Sequence, residues 1–434
     1  MNKKIITLIL CMLPIMLTAC GNTPGKLEPL SSQDSTAATT TVAQSESESE
    51  TTTKADESSR EESTAAKKKK NKKKTDDTDK DAEKSRAQEV FESLTLDEKI
   101  GQLFIVDPET LNGTVDEYEL ATGFNDSIGN NMKAYPVGGI IHFADNIIDP
   151  DQIQKFNSGL QKASKVPLMI AVDEEGGTIT RIASNDSFDV KEFPDMYEIG
   201  ATGDTANAEE VGETIGAYLK DYGFNVDFAP VSDVFTNPDN TVIGKRAFSS
   251  DAKTAAQMVS ACIEGFHKSG MICTIKHFPG HGDTDADSHL GYVSVSKTWD
   301  ELKECELIPF IENKDSTDMI MAAHITLPNI TGEELPATLS KDIITDKLRN
   351  EIGYDGVIIT DSMKMGAIST EYESGDATVK ALLAGVDIIL MPASLSESFE
   401  AVKAALDNGT LDEERIDESV MRILRLKEKY GILK

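Results

Sequence analysis

Short apolar runs recur through residues 86–434, and helix-like stretches lie between most of them. The runs are rich in strand-forming residues and most of them end at charged or turn-forming residues, which predicts buried strands. They cover residues 102–106, 137–143, 167–172, 224–228, 271–275, 319–323, 356–360 and 387–391. Buried strands that alternate with amphipathic helices predict a parallel sheet of the α/β class, and eight strands favour a closed (β/α)8 barrel. A doubly wound open sheet is the alternative.

Helical periodicity is clearest at residues 206–221, 251–269 and 378–384. At the end of the chain, Ile416, Val420, Ile423 and Leu424 recur at helical spacing, so residues 415–434 are predicted to form a closing helix. The catalytic or binding domain is therefore assigned to residues 86–434. At about 350 residues, it is long enough to bury one large core.

The first 85 residues have a different pattern. Lys3 and Lys4 precede a short apolar stretch, so residues 1–20 are predicted to be a signal peptide. The sequence Leu-Thr-Ala-Cys at 17–20 is similar to a bacterial lipobox, which implies lipid attachment at Cys20. An ordinary cleaved signal is the alternative. Residues 21–85 are rich in Ser, Thr, Glu and Lys and lack aromatic residues, which predicts a disordered linker.

The negative charge belongs to the C-terminal domain. Residues 1–85 contain 14 acidic and 14 basic side chains, so the entire net charge of −32 falls on residues 86–434. Such a surface favours solubility and argues against nucleic acid as a partner. The lysine block at 67–74 is interpreted as part of the linker, with contact to anionic lipid or wall polymer as the alternative. Three widely spaced cysteines, Cys262, Cys273 and Cys305, predict thiols rather than a disulfide framework.

A polar segment at residues 276–289 follows the fifth predicted strand and holds three of the six histidines, with three aspartates. A surface loop is the simplest interpretation, but titratable groups this dense indicate a functional site. Asp283, Asp285 and Asp287 resemble the start of a calcium loop whose later ligands are missing, and no Cys or regular His pair completes a zinc set. We therefore predict no metal and no cofactor. Asp287 lies two residues before His289, where it would fix the tautomer of an acid–base imidazole.

A second polar position follows the seventh predicted strand, where residues 356–360 end at Asp361. In a barrel, the chemistry lies where the strands end, so Asp361 is placed to act as a nucleophile. Capping of the following helix is the alternative role for this carboxylate.

Two sequence motifs contain these polar positions: Lys-His-Phe-Pro-Gly-His-Gly at 276–282 with Asp-Ser-His at 287–289, and Gly-Val-Ile-Ile-Thr-Asp-Ser at 356–362. Together they resemble glycoside hydrolase family 3, in its β-N-acetylglucosaminidase branch. The resemblance implies a TIM barrel in which Asp361 is the nucleophile and His289, oriented by Asp287, is the general acid/base. It also implies that five residues bind the substrate, namely Asp173, Arg181, Arg246, Lys276 and His277. For His324, a place in the pocket and a place in the core are both compatible with the sequence. Asp233 and Asp387 are expected to be structural.

The resemblance implies a retaining exo-β-N-acetylhexosaminidase that removes terminal β-linked GlcNAc from peptidoglycan-derived or related glycans. The chain ends soon after the last predicted strand, which together with the Asp-Ser-His motif favours this activity over a β-glucosidase. The sequence is also compatible with a GlcNAc phosphorylase and with a non-catalytic sugar-binding lipoprotein. The expected partners are the glycan and, through Cys20, the extracytoplasmic face of a bacterial cell membrane.

Overall fold

The computed structural model describes residues 84–284, 291 and 293–433. The predicted signal peptide, Cys20 and the linker up to residue 83 lie outside the described residues, as do Asp285, Asp287 and His289. Across the described ranges, no helix is both long enough and apolar enough to cross a bilayer.

The described strands are numbered in chain order. They are β1 (Phe104–Val106), β2 (Gly139–Ile141), β3 (Met169–Val172), β4 (Val226–Asp227), β5 (Ile272–Phe278), β6 (Val293–Ser294), β7 (Met319–Ala322), β8 (Ile325–Thr326), β9 (Val357–Thr360) and β10 (Ile389–Leu390). Among the described residues, eight strands form one parallel sheet in the order β10-β1-β2-β3-β4-β5-β7-β9. A parallel bridge between Ile359 and Ile388 joins the two ends of that order and closes the barrel. The predicted barrel is therefore confirmed, with one strand in each apolar run.

The α-helices surround this barrel. They are α1 (Arg86–Glu92), α2 (Leu96–Gln102), α3 (Asp126–Ala134), α4 (Pro150–Ala163), α5 (Met196–Ala201), α6 (Thr205–Asp221), α7 (Ala252–Ser269), α8 (Trp299–Glu304), α9 (Ile308–Asn313), α10 (Pro328–Thr331), α11 (Gly366–Ser369), α12 (Ser374–Ala384), α13 (Leu395–Asp407) and α14 (Glu413–Lys429). Short 3₁₀ helices cover Pro108–Leu111, Ala144–Asn146, Gly244–Arg246 and Ala337–Leu339, and a π-helix covers Asp342–Ile352. The predicted helices correspond to α6, α7, α12 and α14.

Helices α6 and α7 pack unusually closely on one side of the barrel. A Cβ added to Gly212 of α6 would lie 2.1 Å from the carbonyl oxygen of Cys262, and one added to Gly265 of α7 would lie 2.1 Å from that of Glu209. Two facing glycines therefore let the backbones approach, because any side chain there would overlap the partner helix. Helix α7 begins at the Asp251 cap and ends at Gly270 in the left-handed conformation, from which the chain enters β5.

Strand β5 is longer than the sequence predicted. The apolar run ends at Ile275, but the strand continues through Lys276 and His277 to Phe278, which pairs with Ala322 of β7. The predicted end of the strand at Ile275 was wrong, because polar side chains usually mark the end of a buried strand. Here the polar side chains of Lys276 and His277 line a cavity, so the strand continues through them. The consequence is that Lys276 and His277 lie on a barrel strand and not on the loop that follows.

Asp387 has the structural role expected of it. Its buried carboxylate accepts hydrogen bonds from the Ile358 N–H at 2.9 Å and from Ser419 Oγ at 2.6 Å, and it pairs with Arg349. These contacts join the start of β10 to β9 and to helix α14 at the barrel end away from the cavity described below. A buried carboxylate with this many donors holds neighbouring elements in register.

Candidate active site

A cavity of about 430 Å³ opens where the barrel strands end. Six of the predicted site residues line it: Asp173, Arg181, Arg246, Lys276, His277 and Asp361. The ring of apolar side chains around them includes Phe143, Phe228 and Met321. The position fits the rule that chemistry in such barrels lies at the carboxyl ends of the strands. Asp287 and His289 lie outside the described residues, so their acid–base role stays a prediction.

Asp361 follows β9 directly and faces this cavity. Its backbone N–H donates to the carbonyl of Ala322 at 2.9 Å, and its Oδ1 accepts from the Ser362 N–H at 2.7 Å. Burial raises the pKa of the Asp361 carboxyl, but the nearby charge of His277 and the Ser362 hydrogen bond hold that pKa below its ordinary value. The carboxylate is therefore ionised at neutral pH and its position is fixed, as a nucleophile requires.

Glu175 is a cavity residue that was not predicted from the sequence. Its Oε1 and Oε2 accept from Arg246 Nη2 at 2.7 Å and from Arg246 Nε at 2.8 Å. Lys276 Nζ lies 2.6 Å from Glu175 Oε1 and 2.7 Å from Asp173 Oδ1. The four side chains form one charge network, in which two cations alternate with two carboxylates. Each charge has an opposite partner, so the network is rigid and electrically balanced.

The network fixes the charge state of its buried members. Burial raises the pKa of Glu175, but Arg246 and Lys276 more than offset this and hold the pKa far below its ordinary value. Burial lowers the pKa of Lys276, yet Asp173 and Glu175 raise it above its ordinary value. Arg246 was predicted to bind substrate with its planar fork of donors. Two of its nitrogens donate to Glu175 and a third donates to the Val242 carbonyl at 2.9 Å, so Arg246 lines the cavity as part of the network, and its contact with substrate stays a prediction.

His277 is oriented by a buried carboxylate beneath the cavity. Its Nδ1 lies 2.7 Å from Asp233 Oδ2, and the other oxygen of Asp233 accepts from the His281 N–H at 2.6 Å. Because the ionised Asp233 carboxylate can only accept, His277 Nδ1 carries a proton, and Nε2 lies on the cavity side, 3.4 Å from Arg246 Nη2. Asp233 therefore fixes the orientation of the His277 ring, and its role is structural, as expected.

The chain leading toward the predicted acid–base residues is held firmly. Asn240 Nδ2 donates to the carbonyl of His281 at 2.8 Å, and Thr236 Oγ1 lies 3.0 Å from Asp283 Oδ1. Lys297 Nζ lies 2.8 Å from the other oxygen of Asp283 and 2.6 Å from the buried Glu306. Residues 281–283 therefore leave the cavity along a path held by side chains from two other segments, residues 236–240 and Lys297.

The remaining candidates occupy the edge of the cavity or the layer below it. The Arg181 guanidinium lies 6.0 Å from the centre of the Phe143 ring, at the cavity wall. Lys364, which was not predicted from the sequence, also lines the cavity and pairs with Asp107. His324 is buried and does not line it. Its Nε2 lies 3.0 Å from the carbonyl of Ser362, so His324 supports the turn that carries Asp361.

A family model, that of the glycosyl hydrolase family 3 N terminal domain, matches residues 95–426 and so includes every described cavity residue. The chain belongs to glycoside hydrolase family 3. The match covers the barrel from helix α2 into helix α14. The two motifs that resembled this family in the sequence are therefore confirmed as marks of membership.

Relatives in family 3 include "Beta-hexosaminidase A" of Pseudoalteromonas piscicida, 36% identical over 371 residues that cover 77% of this chain and 61% of that protein. "Beta-hexosaminidase LpqI" of Mycobacterium tuberculosis is 33% identical over 68% of this chain and 76% of its own length. A β-N-acetylglucosaminidase structure from Paenibacillus sp. has a TM-score of 0.72 and 38% identity, covering 78% of this chain and 63% of that one. The structure of the β-glucoside phosphorylase BglX has a TM-score of 0.70 and 28% identity, covering 80% of this chain and 60% of that one. The chain thus spans less than two thirds of several of its relatives.

Proposed function

We propose that the protein is a retaining exo-β-N-acetylhexosaminidase that releases terminal β-linked GlcNAc from glycans. The observation that carries the proposal is the ionised Asp361 at the end of β9, which faces a cavity lined by the Lys276–Glu175–Arg246 network. A fixed carboxylate facing a polar pocket is the arrangement that a glycosyl-enzyme mechanism needs. Membership of a family that includes β-hexosaminidases supports the choice of sugar.

In the first step of the proposed mechanism, a carboxylate oxygen of Asp361 attacks the anomeric carbon as the bond to the leaving oxygen breaks. His289, oriented by Asp287, gives its proton to that oxygen. In the second step, water attacks the anomeric carbon, His289 takes the water proton, and the bond to Asp361 breaks. Two displacements return the sugar with its original β configuration.

The charge network is proposed to hold the terminal sugar while this happens. Lys276 and His277 come from the same strand and face the cavity together, and Arg181 lies at its wall. Asp173 is the more exposed carboxylate of the network, with 18% of its side chain accessible compared with 1% for Glu175. Asp173 is therefore the better placed of the two to accept hydrogen bonds from sugar hydroxyls.

The assay of this proposal compares two chromogenic substrates that differ at one position, the β-GlcNAc glycoside and the β-glucoside. The purified protein is expected to cleave the GlcNAc compound and to leave the glucoside nearly untouched. Proton NMR of the first product formed is expected to show the β anomer, because two displacements retain configuration. A first product with the α configuration would contradict the mechanism.

Inorganic phosphate distinguishes hydrolysis from phosphorolysis in the same assay. Phosphorolysis is a second candidate because the BglX structure shares this fold at 28% identity. We expect phosphate to have no effect, since both cations of the network are already paired with carboxylates. Acceleration by phosphate, with a sugar phosphate as product, would make the protein a phosphorylase. A folded protein that turns over neither sugar would leave a binding role as the better account.

We further propose that Cys20 is lipidated and anchors the barrel to the outer face of a bacterial membrane, where peptidoglycan fragments are the substrate. The lipobox-like sequence and the long polar segment between residue 21 and the barrel support this arrangement. Replacing Cys20 by serine is expected to move the expressed protein from the membrane fraction to the soluble fraction without loss of activity. Membrane retention of the serine variant, measured by fractionation and immunoblot, would contradict lipid anchoring at this residue.

A further inference from the structure

Three potential metal ligands meet at the end of the barrel opposite the cavity. His267 lies in the last turn of α7, Cys273 is in the first half of β5, and Asp318 directly precedes β7. Their ligand atoms lie within 4.8 Å of one another, the one such group among the described residues. Because these atoms are at the amino ends of the strands, this His–Cys–Asp cluster takes no part in the proposed glycosidase chemistry.

The distances within the His–Cys–Asp cluster match a tetrahedral metal centre. His267 Nε2 lies 3.1 Å from Asp318 Oδ2, and Cys273 Sγ lies 3.7 Å from Nε2 and 3.6 Å from Oδ2. Zinc bonds of about 2.3 Å to sulfur and about 2.0 Å to nitrogen and oxygen would place the same pairs about 3.3, 3.5 and 3.5 Å apart. The three distances therefore lie within about 0.2 Å of those in a tetrahedral site.

Neighbouring side chains orient the carboxylate for such an ion. Lys429 Nζ holds the Oδ1 oxygen of Asp318 at 2.7 Å, which leaves Oδ2 directed at the cluster. The Tyr430 hydroxyl donates to Oδ2 at 2.6 Å. These are the hydrogen bonds that commonly fix a carboxylate ligand in place. His267 has 30% of its side chain exposed, so an ion can enter from solvent, while Asp318 is fully covered.

We propose that the His–Cys–Asp cluster binds zinc, or a similar thiophilic divalent metal, with a water molecule completing the tetrahedron. Sulfur and imidazole ligands exclude calcium and magnesium, which take oxygen ligands. No metal was predicted from the sequence, because the ligands come from three separate elements and follow no spacing motif. An ion there would tie α7 to β5 and β7, so its expected effect is on stability and not on catalysis.

Cobalt is the probe, because tetrahedral Co²⁺ absorbs visible light strongly and a thiolate ligand adds a charge-transfer band in the near ultraviolet. The purified protein, first dialysed against a chelator, is titrated with Co²⁺. We expect one equivalent to produce both features and zinc to displace them. The cavity contains no cysteine among its described lining residues, so adventitious binding there would not produce the thiolate band.

Variants locate the site. Cys273→Ala is expected to lose the thiolate band, and His267→Gln, at a partly exposed position, to weaken Co²⁺ binding at least about 100-fold while the fold survives. Cys305→Ser is the matched control, since this half-buried thiol lies outside the cluster, and it should bind like the wild type. Zinc should raise the midpoint of thermal unfolding of wild type and Cys305→Ser only. Absence of a thiolate band in the wild type, or its survival in Cys273→Ala, would overturn the proposal.

Discussion

Asp361→Asn is expected to lower kcat for the β-GlcNAc substrate by about a thousandfold or more, with the fold intact. Asparagine has the same shape but cannot form the covalent glycosyl bond, so the proposed first displacement would lose its nucleophile. The Ser362 N–H that donates to Asp361 Oδ1 retains an acceptor in the amide oxygen, so stability should change little. Steady-state kinetics and circular dichroism on the same preparation measure the two effects.

Asp355→Asn is the matched control for this substitution. Asp355 precedes the same strand at its other end and its side chain is 95% exposed, so the variant should match the wild type. A second variant, Asp361→Ala, adds a chemical test, because azide can enter the space that the carboxylate leaves. Azide should restore turnover of Asp361→Ala and produce a sugar azide of α configuration, since it attacks from the face of Asp361. If Asp361→Asn retains more than about a tenth of the wild-type kcat, another group is the nucleophile.

Periodicity predicted the barrel well because each strand is buried on both faces and bounded by polar residues. The position of Asp361 at the end of a barrel strand could be predicted for the same reason, since the apolar run before it ends sharply at a carboxylate. The predicted end of β5 was wrong because polar residues continue this strand. Lys276 and His277 are polar yet belong to β5, because the cavity provides Asp173, Glu175 and Asp233 as their partners. Hydropathy cannot reveal partners that lie elsewhere in the chain.

The directions of the three acidic side chains after β3 could not be predicted from the sequence. Asp173, Glu174 and Glu175 are adjacent, and only Asp173 was assigned to the site. In the fold, Glu174 turns away to accept the N–H groups of residues 181–183 and the Tyr218 hydroxyl, while Glu175 turns into the cavity. Gly176 and Gly177 both have positive φ, so the chain reverses immediately after the triplet. The direction of each carboxylate depends on that turn, which the order of residues alone does not specify.

Glu175→Gln is expected to reduce the free energy of unfolding by about 3–5 kcal/mol at pH 7. Its side chain is 1% exposed and pairs with both Arg246 and Lys276. The neutral amide would therefore leave Asp173 as the one carboxylate of the network to balance two buried cations. The amide also directs an N–H group at donors, because its nitrogen faces Arg246 in either orientation and faces Lys276 as well when it takes the place of Oε1. Urea unfolding followed by circular dichroism measures the loss. Glu192→Gln, at an exposed position nearby, should change stability by less than about 0.5 kcal/mol.

The pH dependence of this loss identifies its cause. The pKa of Glu175 in the folded protein lies far below its ordinary value of 4.5, so its stabilising effect is complete above that pH and declines as pH falls toward the folded pKa. The difference between wild type and Glu175→Gln should therefore be constant from neutral pH down to about 5 and shrink at lower pH. A packing defect would instead give a difference that does not depend on pH. Asp173→Asn removes the more exposed carboxylate and leaves Glu175 to balance both cations. It should therefore reduce the free energy of unfolding by less than Glu175→Gln does. A larger loss in Asp173→Asn would mean that Asp173, and not Glu175, is the carboxylate on which the network depends.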